Sequence, residues 1–192
     1  MNILYLHGFR SSPQSMKARL MAAHFAATPH RFVCPQLPAS PAAAMALACE
    51  FIEDRGDAAH DWALIGSSLG GYYATWLAER YRCRAALLNP AVLPADDLAG
   101  YVGEHTMYHS SEPFEWRAEY LQELLDLRIE RITQPERYFL LAATGDEVLD
   151  WRQMRDHYAG ARQLIIEGSD HAIGEFADYV DTVANFCAEE GK

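Results

Sequence analysis

The chain is short of bases, has no paired cysteines and no long apolar run, and each scarcity removes a class of function. Lys and Arg number 16 against 27 Asp and Glu, a formal net charge of −11. Nucleic acid is bound through clustered Lys and Arg; here the bases are scattered, so nucleic acid is not an expected partner, and the acidic excess serves solubility. Cys34, Cys49, Cys83 and Cys187 stand far apart, with no CxxC and no Cys/His spacing of the zinc type. They read as reduced thiols of a cytoplasmic protein. No Gly-x-Gly-x-x-Gly, Walker-type Gly-x-x-x-x-Gly-Lys or His-Glu-x-x-His occurs, so neither cofactor nor metal is implied. Met1-Asn2-Ile3-Leu4-Tyr5-Leu6-His7-Gly8 lacks a basic n-region and is too short an apolar run for a signal peptide or a membrane span.

What is present is a chain of 192 residues, 50% hydrophobic. A domain of this length buries roughly 70% of its unfolded surface, so residues 1–192 are expected to form one domain; the oligomeric state stays open. Short apolar runs alternate with longer segments of helical period, the pattern of a parallel sheet covered by helices on both faces. Strands are predicted at Ile3–His7, Arg31–Cys34, Trp62–Gly66, Ala85–Leu88, Tyr138–Ala143 and Gln163–Ile166. Helix starts are marked by Ser12 before Pro13, Ser40 before Pro41, and Asp150. Leu69, Tyr72, Tyr73, Trp76, Leu77 and Arg80 keep helical spacing with one polar member, which predicts a helix buried against the sheet. Between Leu88 and Tyr138 the rhythm breaks. Residues 91–135 read as an inserted cap of mixed loop and helix, with an amphipathic stretch over Phe114–Ile132. The terminal Glu189-Glu190-Gly191-Lys192 reads as a solvated end.

Gly66-Ser67-Ser68-Leu69-Gly70 matches Gly-x-Ser-x-Gly, the elbow that presents a nucleophilic serine between a strand and a helix. This composition yields about 0.03 such matches by chance, and the motif stands where an elbow must, after an apolar strand and before the strongest helix. The alternative is a plain turn with Ser68 as helix cap. A serine hydroxyl needs a histidine to take its proton and a carboxylate to orient that histidine. His171, in Gly168-Ser169-Asp170-His171, follows the last strand. His24, His30, His60, His105, His109 and His157 fall on helices, helix ends or the insertion, where solvated histidines are the ordinary reading. Asp146 follows the fifth strand at its C-terminal edge, with Asp96 or Asp97 in reserve after the fourth. An oxyanion hole needs two backbone N–H donors: Leu69, after the nucleophile, and Phe9, after His7-Gly8 at the end of the first strand.

These blocks resemble a known family. Leu4-Tyr5-Leu6-His7-Gly8-Phe9 with Ser11-Ser12-Pro13, Gly66–Ala74, Gly145–Asp150 and Asp170-His171 are similar to the small YqiA-type bacterial esterases of the α/β-hydrolase superfamily, over nearly the whole chain. The resemblance implies an α/β-hydrolase core, a Ser68, Asp146, His171 triad, and cofactor-free hydrolysis of acyl esters or thioesters. The expected fold is a three-layer α/β domain of six mainly parallel strands in the order 2-1-3-4-5-6 with a small cap. Tyr108, Phe114 and Trp116 of the cap either line an acyl pocket over Ser68 or pack the cap onto the core. Short or medium acyl esters are the expected substrates. An acyl-CoA thioesterase or acyltransferase would use the same site, with Arg10, Arg117 or Arg128 as phosphate contacts. A binding protein that kept the fold without turnover is the rival from another class.

Overall fold

Strands made almost wholly of Ile, Leu, Ala, Tyr and Phe must be covered on both faces, and alternation sends successive residues to opposite sides. A computed structural model describes residues 1–53, 61–108 and 110–189; His60, His109 and Glu190-Gly191-Lys192 lie outside the described residues. In it β1 (Asn2–Leu6), β2 (Arg31–Val33), β3 (Trp62–Ser67), β4 (Arg84–Leu88), β7 (Tyr138–Ala143) and β8 (Arg162–Ile166) form one sheet in the order β2-β1-β3-β4-β7-β8. Every neighbouring pair is parallel. The six predicted strands are these six in the predicted order, each boundary within a residue.

Leu4, Leu6, Leu64, Leu87 and Leu140 pack on one face with α2 (Pro41–Glu53), α3 (Leu69–Tyr81) and α6 (Trp151–His157). Ile3, Tyr5, Ile65, Leu88 and Leu141 pack on the other with α1 (Met16–Ala26) and α7 (Val180–Ala188). The result is three layers. Parallel strands direct all their C-terminal ends to one edge, so the loops after β1, β3, β4, β7 and β8 gather there.

The caps at Ser40 and Asp150 hold: Ser40 Oγ accepts the Ala43 amide at 3.1 Å, and Asp150 Oδ1 the Arg152 amide at 2.9 Å. Ser12 does otherwise. Its hydroxyl accepts the Gln14 amide at 3.1 Å and closes a local turn, so α1 begins later, at Met16. A serine can satisfy a nearby amide without entering a helix.

The segment between β4 and β7 also differs from a mixture of loop and helix. After the short α4 (Pro94–Asp97), β5 (Gly103–Thr106) and β6 (Pro113–Trp116) form an antiparallel hairpin, and only then comes α5 (Glu119–Asp126). The amphipathic stretch is thus divided. Phe114 and Trp116 alternate with Glu115 at the strand period, and aromatic residues suit a pleated, half-buried surface. Among the described residues no helix is long and apolar enough to cross a membrane.

Candidate active site

Ser68 sits between the end of β3 and the start of α3 with φ 55° and ψ −123°, a conformation that costs a side-chain-bearing residue on the order of 1–3 kcal/mol. The neighbours hold it there. Its N–H donates to the Leu88 carbonyl at 3.0 Å, and its carbonyl accepts the Gly71 and Ala91 amides at 2.8 and 3.0 Å. Two glycines of the motif are steric requirements: a Cβ on Gly66 would lie 2.3 Å from the Gly70 carbonyl oxygen, and one on Gly70 only 1.9 Å from the Leu6 carbonyl oxygen. Strand and helix therefore approach as closely as backbones allow, leaving the hydroxyl above the sheet edge.

His171 arrives from the loop after β8 and Asp146 from the loop after β7. His171 Nε2 lies 3.1 Å from Ser68 Oγ, and Nδ1 lies 2.8 Å from Asp146 Oδ2. The Asp146 side chain is fully buried. Its second oxygen accepts the Val148 and Leu149 amides at 2.9 and 2.8 Å. A carboxylate so held accepts a hydrogen bond from the Nδ1–H of the neutral imidazole, which leaves Nε2 as acceptor toward the serine hydroxyl. Asp146, and neither Asp96 nor Asp97, is the carboxylate on that nitrogen. Asp97 lines the cleft beside Ser68, its carboxyl held above the usual range by burial and then by the charge of Asp96. Asp170 turns away, accepting the Gly174 amide at 3.1 Å.

The loop after β1 crosses in front of the elbow: a Cβ on Gly8 would be 3.1 Å from Ser68 Cβ. His7 fastens this loop. Its Nε2 accepts the Leu37 amide at 3.0 Å, so Nδ1 carries the proton and donates to the Gly8 carbonyl at 3.0 Å. Burial holds its pKa below the ordinary imidazole value. Leu69 opens α3, where first-turn amides lack intrahelical acceptors, and the Phe9 amide belongs to the crossing loop. The Phe9 ring is boxed edge-on by Trp116 at 5.1 Å, Phe114 at 5.2 Å and Tyr101 at 5.6 Å.

Two clefts open on Ser68 and His171, both bordered by Phe9 and Tyr108. The first, about 430 Å³, has mostly apolar walls, including Ala91, Pro94, Leu98, Tyr101 and Leu149. The second, about 450 Å³, runs past Ser11, Ser15, Met16 and Lys17. Of the three residues expected as acyl contacts, Tyr108 lines both clefts, whereas Phe114 and Trp116 line neither and stand behind Phe9.

Two polar residues that sequence reasoning missed also meet here. Asn89, fully buried just past β4, and Lys17, in the first turn of α1, both donate to carbonyls of the His171 loop. A sequence signal for Asn89 existed: a polar residue closing a central apolar strand, at the edge where such sheets place their chemistry. For Lys17 it was fainter, a base heading the stripe of Met21 and Phe25.

A family model described as Uncharacterised protein family (UPF0227) matches residues 2–188. Among solved structures, the chain is similar to Est1E from Butyrivibrio proteoclasticus with ferulic acid bound, with a TM-score of 0.75, 14% identity, and coverage of 96% of this chain and 87% of that one. It is similar to the esterase domain of a Rhodothermus marinus protein, with a TM-score of 0.71, 18% identity, and 97% and 85% coverage. It is also similar to alpha/beta hydrolase domain-containing protein 10 from mouse, at 0.70, 16%, 96% and 89%. At such identities the likeness is one of fold, and the fold is that of the α/β hydrolases.

Proposed function

The chain belongs to the UPF0227 family, and from that premise and the site geometry we propose that it is a serine esterase that hydrolyses short to medium acyl esters through an acyl-enzyme intermediate. The observation that carries the reading is the continuous chain from Ser68 Oγ to His171 Nε2 at 3.1 Å and from His171 Nδ1 to Asp146 at 2.8 Å. Ser68 Oγ attacks the ester carbonyl carbon as its proton passes to Nε2. Asp146 stabilises the imidazolium without taking its proton. The carbonyl oxygen, now an oxyanion, lies between the Phe9 and Leu69 amides at the N-terminal end of α3, each donor contributing on the order of 3 kcal/mol. Collapse of this intermediate breaks the bond to the alcohol, which leaves with the proton from His171. Water then gives His171 a proton as it attacks the acyl carbon, and Ser68 recovers its hydrogen when the acid departs.

In this reading residues 91–135 are a cap inserted into a single domain spanning 1–192, and the first cleft takes the acyl chain. Four free thiols, two of them buried, support a cytoplasmic setting. Esters are favoured over coenzyme A thioesters by what the bases do. Arg10 lies over Tyr108 and donates to the Thr106 carbonyl, Arg117 pairs with Glu115, and Arg128 pairs with Glu130, so the three do not converge on a phosphate site. The first cleft instead borders Asp97 and Glu147.

A fluorophosphonate should label Ser68, and Ser68→Ala should lower kcat on p-nitrophenyl esters by about 10⁶-fold. An unlabelled Ser68, or a Ser68→Ala protein as active as the parent, overturns the reading. Rates across acyl chain lengths, for esters and thioesters, then define the pocket. Binding of acyl ligands without turnover would favour the binding-protein alternative.

A further inference from the structure

His171 is carried by a loop with no regular structure of its own, yet the carbonyls of Asp170, His171 and Ala172 are all held by donors from elsewhere in the fold. Asn89 Nδ2 donates to Asp170 O and His171 O, both at 3.1 Å. Lys17 Nζ donates to Ala172 O at 2.7 Å and, more weakly, to His171 O at 3.4 Å. Asn89 is itself immobilised. It has φ 42°, is fully buried, accepts the Ala143 amide on Oδ1 at 2.8 Å and donates its own amide to Leu141 O at 2.9 Å. It thus ties the histidine loop to the end of β7, three residues before Asp146. Lys17 ties the same loop to α1.

A lysine is a costly choice for that second tie. Only 9% of it is exposed, and a buried ammonium loses most of its hydration. The side chain leads the apolar stripe of Met21 and Phe25, where a methionine would satisfy packing alone. A charged donor on a carbonyl is shorter and stronger than a neutral one, which is useful where a loop must be held to a fraction of an ångström. Lys17 also forms part of the wall of the second cleft, beside Ser68 and His171.

We infer that Lys17, together with Asn89, is a positioning residue that keeps the His171 imidazole in line between Asp146 and Ser68. The inference rests on the serine-esterase reading. Lys17 touches no reacting atom and acts through the backbone of the histidine loop. The charged and titratable groups facing it are Asp146 after β7 and Asp170 and His171 after β8. Burial lowers its pKa to about 8, against the opposing pull of Asp170 and Asp146. As pH rises through that value the positive charge is lost and the bonds to Ala172 and His171 weaken. Stability moves the other way. Between about 8 and the ordinary lysine value of about 10.4, the unfolded chain holds the proton that the folded chain has released, so this residue's contribution to stability rises with pH.

The test compares the parent, Lys17→Met and Lys17→Arg on a neutral p-nitrophenyl ester from mildly acidic to alkaline pH, with fluorophosphonate labelling and thermal unfolding in parallel. The expected result for Lys17→Met is a folded protein whose kcat falls about 10- to 100-fold with KM almost unchanged, the cost of small misplacement of a catalytic group. The parent should show an alkaline limb near pH 8, and that limb should be absent from both variants. Lys17→Arg should recover most of kcat. Parental kcat in Lys17→Met, a loss confined to KM, or an alkaline limb retained in either variant overturns the inference. If Lys17→Met does not fold, the profile of Lys17→Arg decides alone. A parent that fluorophosphonate leaves unlabelled refutes the esterase reading instead, so the two failures are distinguishable.

Discussion

The candidate catalytic edge and the segment between β4 and β7 sit against each other but are held by different means. At the edge, position is set by backbone: β3 and α3 meet with no room for a Cβ, Ser68 is strained, and Asp146 is fixed by two amides. The segment between β4 and β7 has main-chain ties from Ala91 to Ser68 and from Tyr108 to Arg10, and the rest of its hold comes from side chains. Phe9 meets Phe114, Trp116 and Tyr101 edge to face, and Glu123 of α5 accepts from Ser40 Oγ and the Ala42 amide at the head of α2. At its far end Glu79 receives Thr133, Arg137 and the Tyr138 hydroxyl. The elbow that presents Ser68 rests on main chain, which point changes can only break; the segment beside it rests more on side chains, which point changes can tune.

Substitutions can break that contrast in graded steps. Gly70→Ala has the largest expected effect, because its methyl would lie 1.9 Å from the Leu6 carbonyl oxygen. The variant should lose the cooperative unfolding transition in circular dichroism, beyond the roughly 4–5 kcal/mol of ordinary severe substitutions. Asp146→Asn should leave the fold intact and lower kcat by about 10⁴-fold, the size found when a triad histidine is offered the wrong tautomer; a much smaller loss would remove Asp146 from the triad. Trp116→Ala, at a site only 1% exposed, should cost about 3–5 kcal/mol in urea unfolding and, by unseating Phe9, lower kcat as well.

A smaller effect is tied to pH. His7 is held neutral with its pKa depressed by burial, so acidification below about 6.5 protonates the unfolded chain first and stability falls. His7→Gln should flatten that slope in urea midpoints taken between neutral pH and about pH 5. Tyr108→Ala, 60% exposed and bordering both clefts, should change stability by less than about 0.5 kcal/mol while raising KM for the longer acyl esters. Arg117→Ala, paired with Glu115 at the surface, should move neither Tm nor kcat measurably.

Legibility in the sequence followed the same division. The central strands were readable because strands covered on both faces are near-unbroken apolar runs, the edge strands β2 and β8 from shorter apolar stretches, and the elbow because only glycine fits two of its positions. Ser68, Asp146 and His171 could be chosen from chain order and strand ends, and they meet within hydrogen-bonding distance. The hairpin was missed since Phe114-Glu115-Trp116 is too short for its period of two to outweigh the helical pattern that follows. Phe114 and Trp116 were candidates for the pocket because aromatic character does not say which side of Phe9 a ring occupies. Lys17 and Asn89 could not be joined to His171 in advance: their partners are main-chain carbonyls more than 80 residues away in sequence.

The ring of Phe9 wedged among Tyr101, Phe114 and Trp116 has a practical consequence for redesign. On the proposed reading, grafting a foreign segment in place of residues 91–135 would remove the brace behind the Phe9 amide, one of the two proposed oxyanion donors, along with part of the cleft wall. A chimera built on that reading to change selectivity must carry those three rings across to keep Phe9 seated beside Ser68.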